Sequence, residues 1–567
     1  MDKIFIITLL TIIATTIGAP SPPTTTEVKA QLVGAGVSET AANGILRIDE
    51  AHMTEFDAAN GDKDVVAGIF KKMQNEVYQF LETQLQKDLE AYKTILQPVV
   101  NDFYLNKKIV KNPTIEIRNY FMDEEGIAAM QPASGFKFFW EFAGMKNPIV
   151  DVPKAANRLY EEFEHVCRKM LVDKDLHQWI LNKNFDAHIS EAFDFCGLYL
   201  ADYLNLKSPI PLYTGVRCGA ASHAVGEPSP WNYLPAQTSN YGPGSTGFDR
   251  INDIYGLTGY YYQFGLLFDK QYQQAYQLTN GRVRHWKDIL KRSTFYLTNS
   301  NPYLSFTTPT ISKVVQVGGC TIDPPKSTNL STKFDEYLSR RNSTILVSFG
   351  TVIQSSDMPE SFKIGLIDAF KSMPDITFIW KYEGADILDM VPDNVIISDW
   401  VPQPALLADQ RVKIFVTHGG LGSTMEVAYA GTPSIMVPVF SDQGVNARML
   451  AKHGGAVVFN KFDLPDSKKI KEAFERILDD GKFGASARKL ADILRNQPMD
   501  PKEILLRHCE FAARFGEISN LEPFANNYNF IEFYCIDAIF IVITPIIVML
   551  YLLKYCWFLT KRKLKME

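Results

Sequence analysis

Short apolar runs alternate with amphipathic segments along the C-terminal half of the chain, from residue 343 onward. The apolar runs are rich in Val, Ile and Phe and have the length of buried strands, about four to eight residues. They read STILVSFG, TFIWKY, NVIISDWV, KIFVTHGG, SIMVPVF and AVVFN. The intervening segments, such as PESFKIGLIDAFKSM and KKIKEAFERILDD, have apolar residues at helical spacing. This alternation predicts a parallel sheet with helices on both faces, in which ligands bind beyond the carboxyl ends of the strands.

The preceding region, about residues 106–325, has the same kinds of element with less regularity. NFDAHISEAFDFCGLYLADYL followed by PIPLYTG predicts a strand, a loop, a helix and a second strand. An extended run, PTIEIRNYF, precedes them, and Gly and Pro residues mark a later loop. The aromatic stretch Tyr260–Phe268 fits either an apolar pocket or ordinary core packing. We predict a partial α/β domain here and a separate domain over residues 326–530.

Residues 20–105 have a different pattern, which is helical. From Ile69 to Leu96 apolar residues recur every three or four positions, and no strand–turn–helix unit is evident. The stretch PSPPTTT at the start of this region cannot form a packed core and is typical of a linker. We therefore expect an atypical helical segment before the two α/β domains.

Apolar runs at both ends of the chain predict membrane targeting. Residues 1–19 combine a lysine, an apolar run and small residues, which is typical of a secretory signal peptide. Residues 531–560 contain an apolar run long enough to span a bilayer. The tail, 561–567, is basic, and positive charge marks the cytoplasmic side of a membrane. These features predict a single-pass type I membrane protein with its bulk in the lumen.

The last five residues, KLKME, resemble the dilysine retrieval signal of endoplasmic reticulum membrane proteins. A plain stop-transfer anchor would also carry lysines. The sequons at Asn329 and Asn342 agree with a glycosylated luminal domain. The resemblance of the tail implies a location in the endoplasmic reticulum membrane.

The charge of the chain argues against a nucleic-acid partner, and its histidines and cysteines argue against a metal site. The formal net charge is −6, whereas a nucleic-acid-binding chain favours a basic patch. Histidines and cysteines form no cluster with metal-ligand spacing, so we predict no metal site. Five cysteines precede the membrane span, enough for one or two disulfides whose pairing the spacing does not determine; they are Cys167, Cys196, Cys218, Cys320 and Cys509.

The candidate chemistry is concentrated in the segment FVTHGGLGSTMEVAYAGTPSIMVPVFSDQ, which ends at Gln443. A strand ends at His418, and a glycine-rich turn then opens a helix. Unpaired backbone N–H groups and the helix dipole therefore point to one place, which suits a diphosphate. His418 can hydrogen-bond a phosphate oxygen, and Glu426 can accept hydrogen bonds from ribose hydroxyls. Asp442 and Gln443 follow the next strand and can bind sugar hydroxyls.

A second group of candidate side chains follows the strand NVIISDWV. Trp400 has a flat indole that suits a uracil ring, and Gln403 supplies a nearby amide. Each candidate stands at the carboxyl end of a predicted strand, an arrangement that packing alone does not explain.

This ordered set resembles the signature of the UDP-glycosyltransferase family, which includes the glucuronosyltransferases of animals. The matching residues are Trp400, Pro402, Gln403, His418, Gly419, Gly420, Glu426, Pro433, Pro438, Asp442 and Gln443. The resemblance runs from about Asn112 to the C-terminus. It implies an α/β fold of two facing Rossmann-like domains of the GT-B type, the N-terminal one incomplete. It also implies inverting transfer from UDP-glucose or UDP-glucuronate to a small lipophilic acceptor, with no metal or other cofactor.

The same resemblance assigns the contacts with the donor. Uracil would be held by Trp400 and Gln403, ribose by Glu426, and the sugar by Asp442 and Gln443. The diphosphate would contact Ser348, Thr351, His418, Gly420 and Ser423. Many relatives have an asparagine at the position of Gly422, so one side-chain contact is lost here.

The resemblance fails at the catalytic base. Family members begin with a strand and a turn that bear a histidine, the base that deprotonates the acceptor, and helical sequence occupies that place here. Among the histidines of this half, five match no part of the motif: His52, His165, His177, His188 and His223. Glu191 aligns with the carboxylate that orients the family's histidine and is the candidate catalytic residue. We expect intact UDP-sugar binding but weak transfer, since losing general-base help costs about 100- to 10,000-fold in rate.

Three explanations of the atypical N-terminus stay open. The fold supplies another base, or the protein binds UDP-sugars with little transfer, or an unrelated secreted helical segment is wrongly joined to the transferase in the gene prediction. The alternative function is a non-catalytic UDP-sugar-binding or small-molecule carrier protein of the membrane. The sequence determines neither the donor sugar nor the acceptor, and it is compatible with a homodimer without supporting one.

Overall fold

The computed structural model describes residues 137–141, 148–228, 247–322, 330–351, 353–523, 528, 530–533 and 535–563, together with residues 39, 42, 43 and 47. The predicted signal peptide, the helix over 69–96, the extended run 113–121 and the last residues of the tail lie outside this part of the chain. All elements named below lie within Met122–Glu567, one of two units of the chain.

The N-terminal domain is built on a parallel sheet of four short strands. They are β1 (His188–Glu191), β2 (Pro209–Tyr213), β3 (Tyr296–Thr298) and β4 (Val314–Gln316), in the order β1-β2-β3-β4. The helices of this part of the chain are α1 (Lys137–Glu141), α2 (Pro148–Val172), α3 (Lys174–Lys183), α4 (Cys196–Tyr203), α5 (Gly219–Ala224), α6 (Gly247–Leu278) and α7 (Trp286–Arg292). The predicted succession of strand, loop, helix and strand is confirmed by β1, α4 and β2.

The aromatic stretch Tyr260–Phe268 lies on α6 and supplies core packing. Phe264 and Phe268 are buried. The ring of Phe268 lies 4.5 Å from that of Phe195 and 5.2 Å from that of Trp286, measured between centroids. The structure therefore favours the packing interpretation of this stretch over the pocket.

The C-terminal domain is built on a parallel sheet of six strands. They are β5 (Ser343–Ser348), β6 (Ile376–Lys381), β7 (Val395–Ser398), β8 (Val412–Thr417), β9 (Ser434–Met436) and β10 (Ala456–Val458). The helices are α8 (Thr332–Ser339), α9 (Glu360–Lys371), α10 (Gln403–Leu407), α11 (Leu421–Ala430), α12 (Gln443–Ala451), α13 (Ser467–Asp479), α14 (Gly481–Arg495) and α15 (Pro501–Phe515). Each of the six strands predicted from the apolar runs is confirmed.

Strand β5 explains why these strands are continuous apolar runs. Ile345 and Val347 pack into one hydrophobic cluster, and Leu346 packs into another. Successive side chains of a strand point to opposite faces, and helices cover both faces of this sheet. Both sets of side chains are therefore buried.

The strand order β10-β9-β8-β5-β6-β7 reverses direction between β5 and β8. Ser348 at the end of β5 pairs with Thr417 at the end of β8. The loops that follow these two strands therefore start side by side. Such a reversal point is the usual ligand crevice of an open parallel sheet.

Helix α15 packs on the N-terminal sheet, although it lies in the range 326–530 predicted as one domain. Ala512 is buried in a cluster with Ile210 of β2. Just beyond the helix, Glu517 forms an ion pair with Arg292 at 3.0 Å. One face of α15 therefore packs against strands distant in sequence, and the domain boundaries predicted from the sequence stay a prediction.

One disulfide joins α2 to the first residue of α4. It links Cys167 to Cys196, whose Cα atoms are 5.3 Å apart. Among the described cysteines, Cys218, Cys320 and Cys509 are free thiols. The sequence had left this pairing open.

A long C-terminal helix, α17 (Ile536–Lys563), follows the short helix α16 (Phe530–Phe533). Its stretch Ile536–Phe558 has a mean hydropathy of 2.6, and none of it is buried within the described structure. A helix of that length extends about 35 Å and is long and apolar enough to cross a bilayer. Cys535, which has a φ of 51°, directly precedes this helix, and the span predicted over residues 531–560 stays a prediction.

Candidate functional site

His418 follows β8, and its imidazole is held between two glycine backbones. Gly350 has a φ of +91°, and a Cβ added to it would lie 2.7 Å from His418 Cε1. A Cβ added to Gly420 would lie 2.6 Å from His418 Nε2. The two loops approach the ring this closely because both residues lack side chains. The loops on either side therefore fix the position of the ring.

Burial lowers the pKa of His418 to about 4, so the imidazole is neutral near pH 7. The hydroxyl of Thr417 lies 3.4 Å from Nδ1. If this hydroxyl donates to Nδ1, the proton of the neutral ring resides on Nε2. His418 can then offer an anion a hydrogen bond rather than a full positive charge.

Helix α11 begins directly after Gly420. Its first intrahelical bond runs from Thr424 N to the Gly420 carbonyl at 2.9 Å. The N–H groups of residues 421–423 precede this bond and have no intrahelical acceptor. A Cβ added to Gly422 would meet nothing within 4 Å, so the space beside this first turn is open. An anion in this space would accept these N–H groups and gain from the helix dipole.

The two candidate side chains after β5 differ in exposure. Ser348 is buried, and its Oγ accepts a hydrogen bond from Gly350 N at 3.4 Å. Thr351 is exposed. The Thr351 hydroxyl is therefore accessible to a ligand. The Ser348 hydroxyl, in contrast, accepts a hydrogen bond from the backbone of its own loop and so helps to fix the shape of that loop.

An ion pair with a buried lysine supports the loop after β5. Lys381, at the end of β6, donates to the Gly350 carbonyl at 2.9 Å and to Glu383 Oε1 at 2.5 Å. Glu383 in turn accepts a hydrogen bond from Ser355 N at 2.8 Å. Sequence reasoning missed this pair, although a lysine at the end of the apolar run TFIWKY was a visible signal.

Gln403, Ser423 and Glu426 are brought together at the other side of α11. Gln403 Nε2 donates to Glu426 Oε2 at 2.6 Å and lies 3.1 Å from Ser423 Oγ. Burial raises the pKa of Glu426, and the hydrogen bond from Gln403 acts in the opposite direction. The amide fixes one carboxylate oxygen and leaves the other for a further donor.

Trp400 exposes its indole at the same edge of the sheet. About three-fifths of the residue's surface is accessible, 61%. Its backbone is fixed, because Ser398 Oγ donates to the Trp400 carbonyl at 2.7 Å. A large apolar ring that stays exposed on a fixed backbone suits stacking against a flat ligand.

Gln443 lies at the start of α12, well beyond the end of β9 at Met436. It is buried, and its Oε1 accepts hydrogen bonds from the N–H groups of Val439 and Phe440 at 2.8 and 3.0 Å. The prediction that this residue stands at the end of the strand SIMVPVF is therefore corrected, because the strand ends at Met436. Only the Nε2 group of Gln443 remains for a ligand, because its oxygen shapes the loop.

Asp442 is connected to the glycine turn through Asn446. Asn446 Nδ2 donates to Asp442 Oδ2 at 3.0 Å and to the Gly419 carbonyl at 3.1 Å. Burial raises the pKa of Asp442. Sequence reasoning did not single out Asn446; its position four residues after Asp442, on the same face of a helix, was the available signal.

Family models match the chain over two separate ranges. Residues 104–567 match the family described as UDP-glucoronosyl and UDP-glucosyl transferase. The chain belongs to this family. Residues 22–98 match a different model, a domain of unknown function, DUF4473. The segment predicted over 20–105 therefore matches a family model other than that of the transferase. The activity of the transferase family is glycosyl transfer from UDP-sugars.

Relatives cover most of the transferase region. The Caenorhabditis elegans protein ugt-48, named as a UDP-glucuronosyltransferase, is 25% identical over 387 residues, 67% of this chain and 73% of the relative. Human UDP-glucuronosyltransferase 1A9 is 23% identical over 400 residues, 70% of this chain and 74% of the relative. The crystal structure of glycosyltransferase VinC in complex with dTDP covers 69% of this chain and 86% of its own, with a TM-score of 0.45 and 17% identity.

The fold class predicted from sequence is confirmed. The transferase has two parallel sheets in α/β arrangement, one of four strands and one of six. The residues around His418, those around Gln403 and those around Asp442 all lie on loops and helix starts of the C-terminal sheet. Glu191 lies on the other sheet.

Glu191 ends β1 in the N-terminal domain of the transferase. Its Oε1 accepts hydrogen bonds from the N–H groups of Ala192, Phe193 and Thr214 at 3.1, 2.9 and 3.3 Å. None of the residues that the structure describes donates a hydrogen bond to Oε2. One oxygen therefore braces the loop, and the other is available to accept a proton.

Three histidines of the N-terminal domain make structural hydrogen bonds. His177 and His188 each have a ring nitrogen about 3 Å from a backbone carbonyl. His285 lies 3.4 Å from Asp269, an arrangement like the family's histidine–carboxylate pair. Its Nδ1, however, accepts a hydrogen bond from Lys287 N at 3.3 Å and caps α7. Both nitrogens of His285 are engaged, so this pair is not a free base.

Asp194 is a second carboxylate close to Glu191 in the chain, and it lies two residues before the start of α4. Its Oδ1 accepts hydrogen bonds from Cys196 N and from Gln271 Nε2, both at 3.0 Å. Burial raises the pKa of Asp194 to about 6.

We expect Asp194→Asn to remove a pH dependence of stability. The pKa of Asp194 in the folded state lies above its ordinary value of 3.8, so the folded state binds the proton more tightly. The wild-type free energy of unfolding should therefore fall, by at most about 3 kcal/mol, as the pH rises from about 4 to about 6, and then level off. Asparagine keeps Oδ1 as an acceptor and does not titrate. Over this pH range, the melting temperature of the detergent-solubilised variant should rise relative to that of the wild type. An equal pH dependence of the two melting temperatures would contradict the raised pKa of Asp194.

Proposed function

We propose that this transferase conjugates a hexosyl or glucuronosyl group, taken from UDP-glucose or UDP-glucuronate, to a hydroxyl of a small lipophilic acceptor. The observation that carries the proposal is the seating of a neutral His418 between Gly350 and Gly420, beside the open N-terminus of α11. This arrangement offers an anion several N–H donors. It suits the diphosphate of a nucleotide sugar, and it needs no metal or other cofactor to hold the donor.

The proposed contacts follow the exposure of each group. The uracil ring stacks on the exposed indole of Trp400, and the ribose hydroxyls bond Glu426, whose second oxygen is held by Gln403. The diphosphate contacts are His418, Gly420, Ser423 and Thr351, with Ser348 shaping the loop. Asp442 accepts hydrogen bonds from sugar hydroxyls, and Gln443 contributes through Nε2.

The proposed chemistry is an inverting displacement at the sugar's anomeric carbon. The acceptor oxygen forms a bond to this carbon as the bond to the diphosphate oxygen breaks, and a base takes the hydroxyl proton. Negative charge develops on the departing UDP, where the N–H groups of α11 and His418 stabilise it. Glu191 is the proposed proton acceptor, through Oε2.

A non-catalytic UDP-sugar-binding or carrier protein is the second candidate. Three backbone N–H groups on Oε1 are typical of a carboxylate that braces a loop, and this observation favours a structural Glu191. A protein of this kind would keep UDP affinity without forming a conjugate.

We further propose that the enzyme works from the endoplasmic reticulum membrane with its bulk in the lumen. The apolar helix α17 followed by basic residues supports an anchor with a cytoplasmic tail. The N-terminal apolar run and the sequons support a luminal glycoprotein. A lipophilic acceptor would reach such a site from the bilayer.

Transfer should be slow but dependent on a UDP-sugar. Membranes containing the full-length protein would be incubated with radiolabelled UDP-glucose or UDP-glucuronate and a panel of phenols, and the conjugates would be quantified. We expect turnover about 100-fold or more below that of family members that have the catalytic histidine. UDP binding without any conjugate from either donor would favour the carrier candidate. Rates equal to those of ordinary members would contradict the assignment of Glu191.

A further inference from the structure

The short helix α1 is packed into the core of the UDP-sugar domain. Trp140 is fully buried there, in one cluster with Phe349 and Phe362. Its ring lies edge-on to both, with centroids 5.2 and 6.4 Å away. The indole Nε1 donates to the Gln354 carbonyl at 3.2 Å. A residue from the start of the N-terminal domain thus completes the core of the other domain.

The neighbouring residue, Phe139, is held by a second set of contacts. Its ring lies 4.2 Å from that of Phe440. The buried ammonium of Lys461 donates to the carbonyls of Phe139 and Val439 at 2.6 and 2.9 Å. Burial lowers the pKa of Lys461 to about 8. The lysine therefore ties the backbone of α1 to the segment that leads into Gln443.

These contacts reach both loops of the proposed donor site. Phe349 directly precedes Gly350, whose backbone touches the His418 ring, and Gln354 lies on the far side of the same loop. Phe440 lies between β9 and Asp442, on the loop proposed to bind the sugar. We call the loop after β5 the diphosphate loop and the loop between β9 and Asp442 the sugar loop. A displacement of α1 would therefore move both loops together.

We propose that the segment Lys137–Glu141 is a positioning element of the donor site, in which Trp140 sets the diphosphate loop and Phe139 sets the sugar loop. The inference rests on the proposed function, since it assumes that these loops hold a UDP-sugar. Interiors are close-packed, so a large-to-small change at Trp140 leaves a cavity into which the loop relaxes. Displacements of about 1 Å at such a site cost up to about 100-fold in rate.

The test compares Trp140→Ala with Trp286→Ala in the full-length protein. Trp286 is equally buried, in the N-terminal aromatic core, and its Nε1 donates to Asp269 at 2.8 Å. Both variants should melt at lower temperature than the wild type. Only Trp140→Ala should raise the Kd of UDP, by about tenfold or more. Trp140→Phe keeps a ring beside Phe349 and should recover most of the affinity.

The variant Phe139→Leu tests the sugar loop separately from the diphosphate loop. It removes the ring contact with Phe440 but keeps an apolar side chain, so it should fold even where Trp140→Ala does not. We expect it to raise the KM for the UDP-sugar more than the Kd of UDP, because it acts on the sugar loop.

The outcomes separate this inference from the proposed function. A wild type that binds no UDP would overturn both. A wild type that binds UDP, with a folded Trp140→Ala of equal affinity, would overturn the positioning role alone. Equal weakening by Trp140→Ala and Trp286→Ala would also overturn it. Where Trp140→Ala does not fold, an unchanged KM for the UDP-sugar in Phe139→Leu would do the same.

Discussion

Replacing Gly420 with alanine will weaken UDP binding by about 10- to 100-fold, although the change adds a single methyl group. Gly420 has a φ of −57°, which alanine adopts readily, so backbone strain is not the cause. The new Cβ would lie 2.6 Å from His418 Nε2. The ring cannot retreat, because Gly350 flanks it on the other side. Its displacement removes a hydrogen bond to a charged diphosphate, worth about 1.5–3 kcal/mol.

Gly481→Ala is the matched control for this experiment. It makes the same substitution at the start of α14, which the proposed site does not include and where an added Cβ meets nothing within 4 Å. Calorimetric titration of the wild type and both variants with UDP gives the comparison. The control should bind like the wild type. Equal affinities for all three proteins, or equal weakening by both variants, would contradict the placement of the diphosphate beside His418.

Glu191→Gln will lower kcat by about 100-fold and leave the Kd of UDP unchanged. Glutamine keeps Oε1, so it can still accept the three backbone N–H groups that the loop donates. It replaces Oε2 with an amide group that takes no proton. The variant therefore separates the loop-bracing role of Glu191 from its proposed role as a base. Steady-state transfer assays and UDP titrations on the same preparation measure both quantities.

Glu517→Gln provides a control for the loss of one carboxylate. Glu517 forms an exposed ion pair with Arg292 and has no part in the proposed chemistry, so the kcat of this variant should stay at the wild-type value. An unchanged kcat in Glu191→Gln would leave this residue as a loop brace only. The base would then be another group, and His223, which is exposed on α5, would be the next residue to test.

The C-terminal half of the fold could be predicted from sequence because its strands are buried on both faces. Runs such as STILVSFG and KIFVTHGG have the length and the β-branched content of central parallel strands, and each was found where expected. Strand ends then located His418, Trp400 and Glu426 on one edge of one sheet. Positions on elements this regular follow from local pattern alone.

Tertiary contacts account for what the sequence did not reveal. The oxygen of Gln443 is used by the backbone of its own loop, and Lys381 bonds a carbonyl on a neighbouring strand. Helix α15 and Trp140 both cross between domains and are buried far from their sequence neighbours. No periodicity encodes which distant surface an apolar side chain will cover, so these contacts required coordinates.

The central claim is that the turn between β8 and α11 binds uridine diphosphate. Isothermal titration of the purified full-length protein with UDP, with uridine as the comparison ligand, tests it most directly. We predict saturable binding of UDP with a Kd well below about 1 mM and far weaker binding of uridine, since the diphosphate makes most of the contacts. No heat of binding at about 1 mM UDP, or equal affinity for uridine and UDP, would contradict the claim.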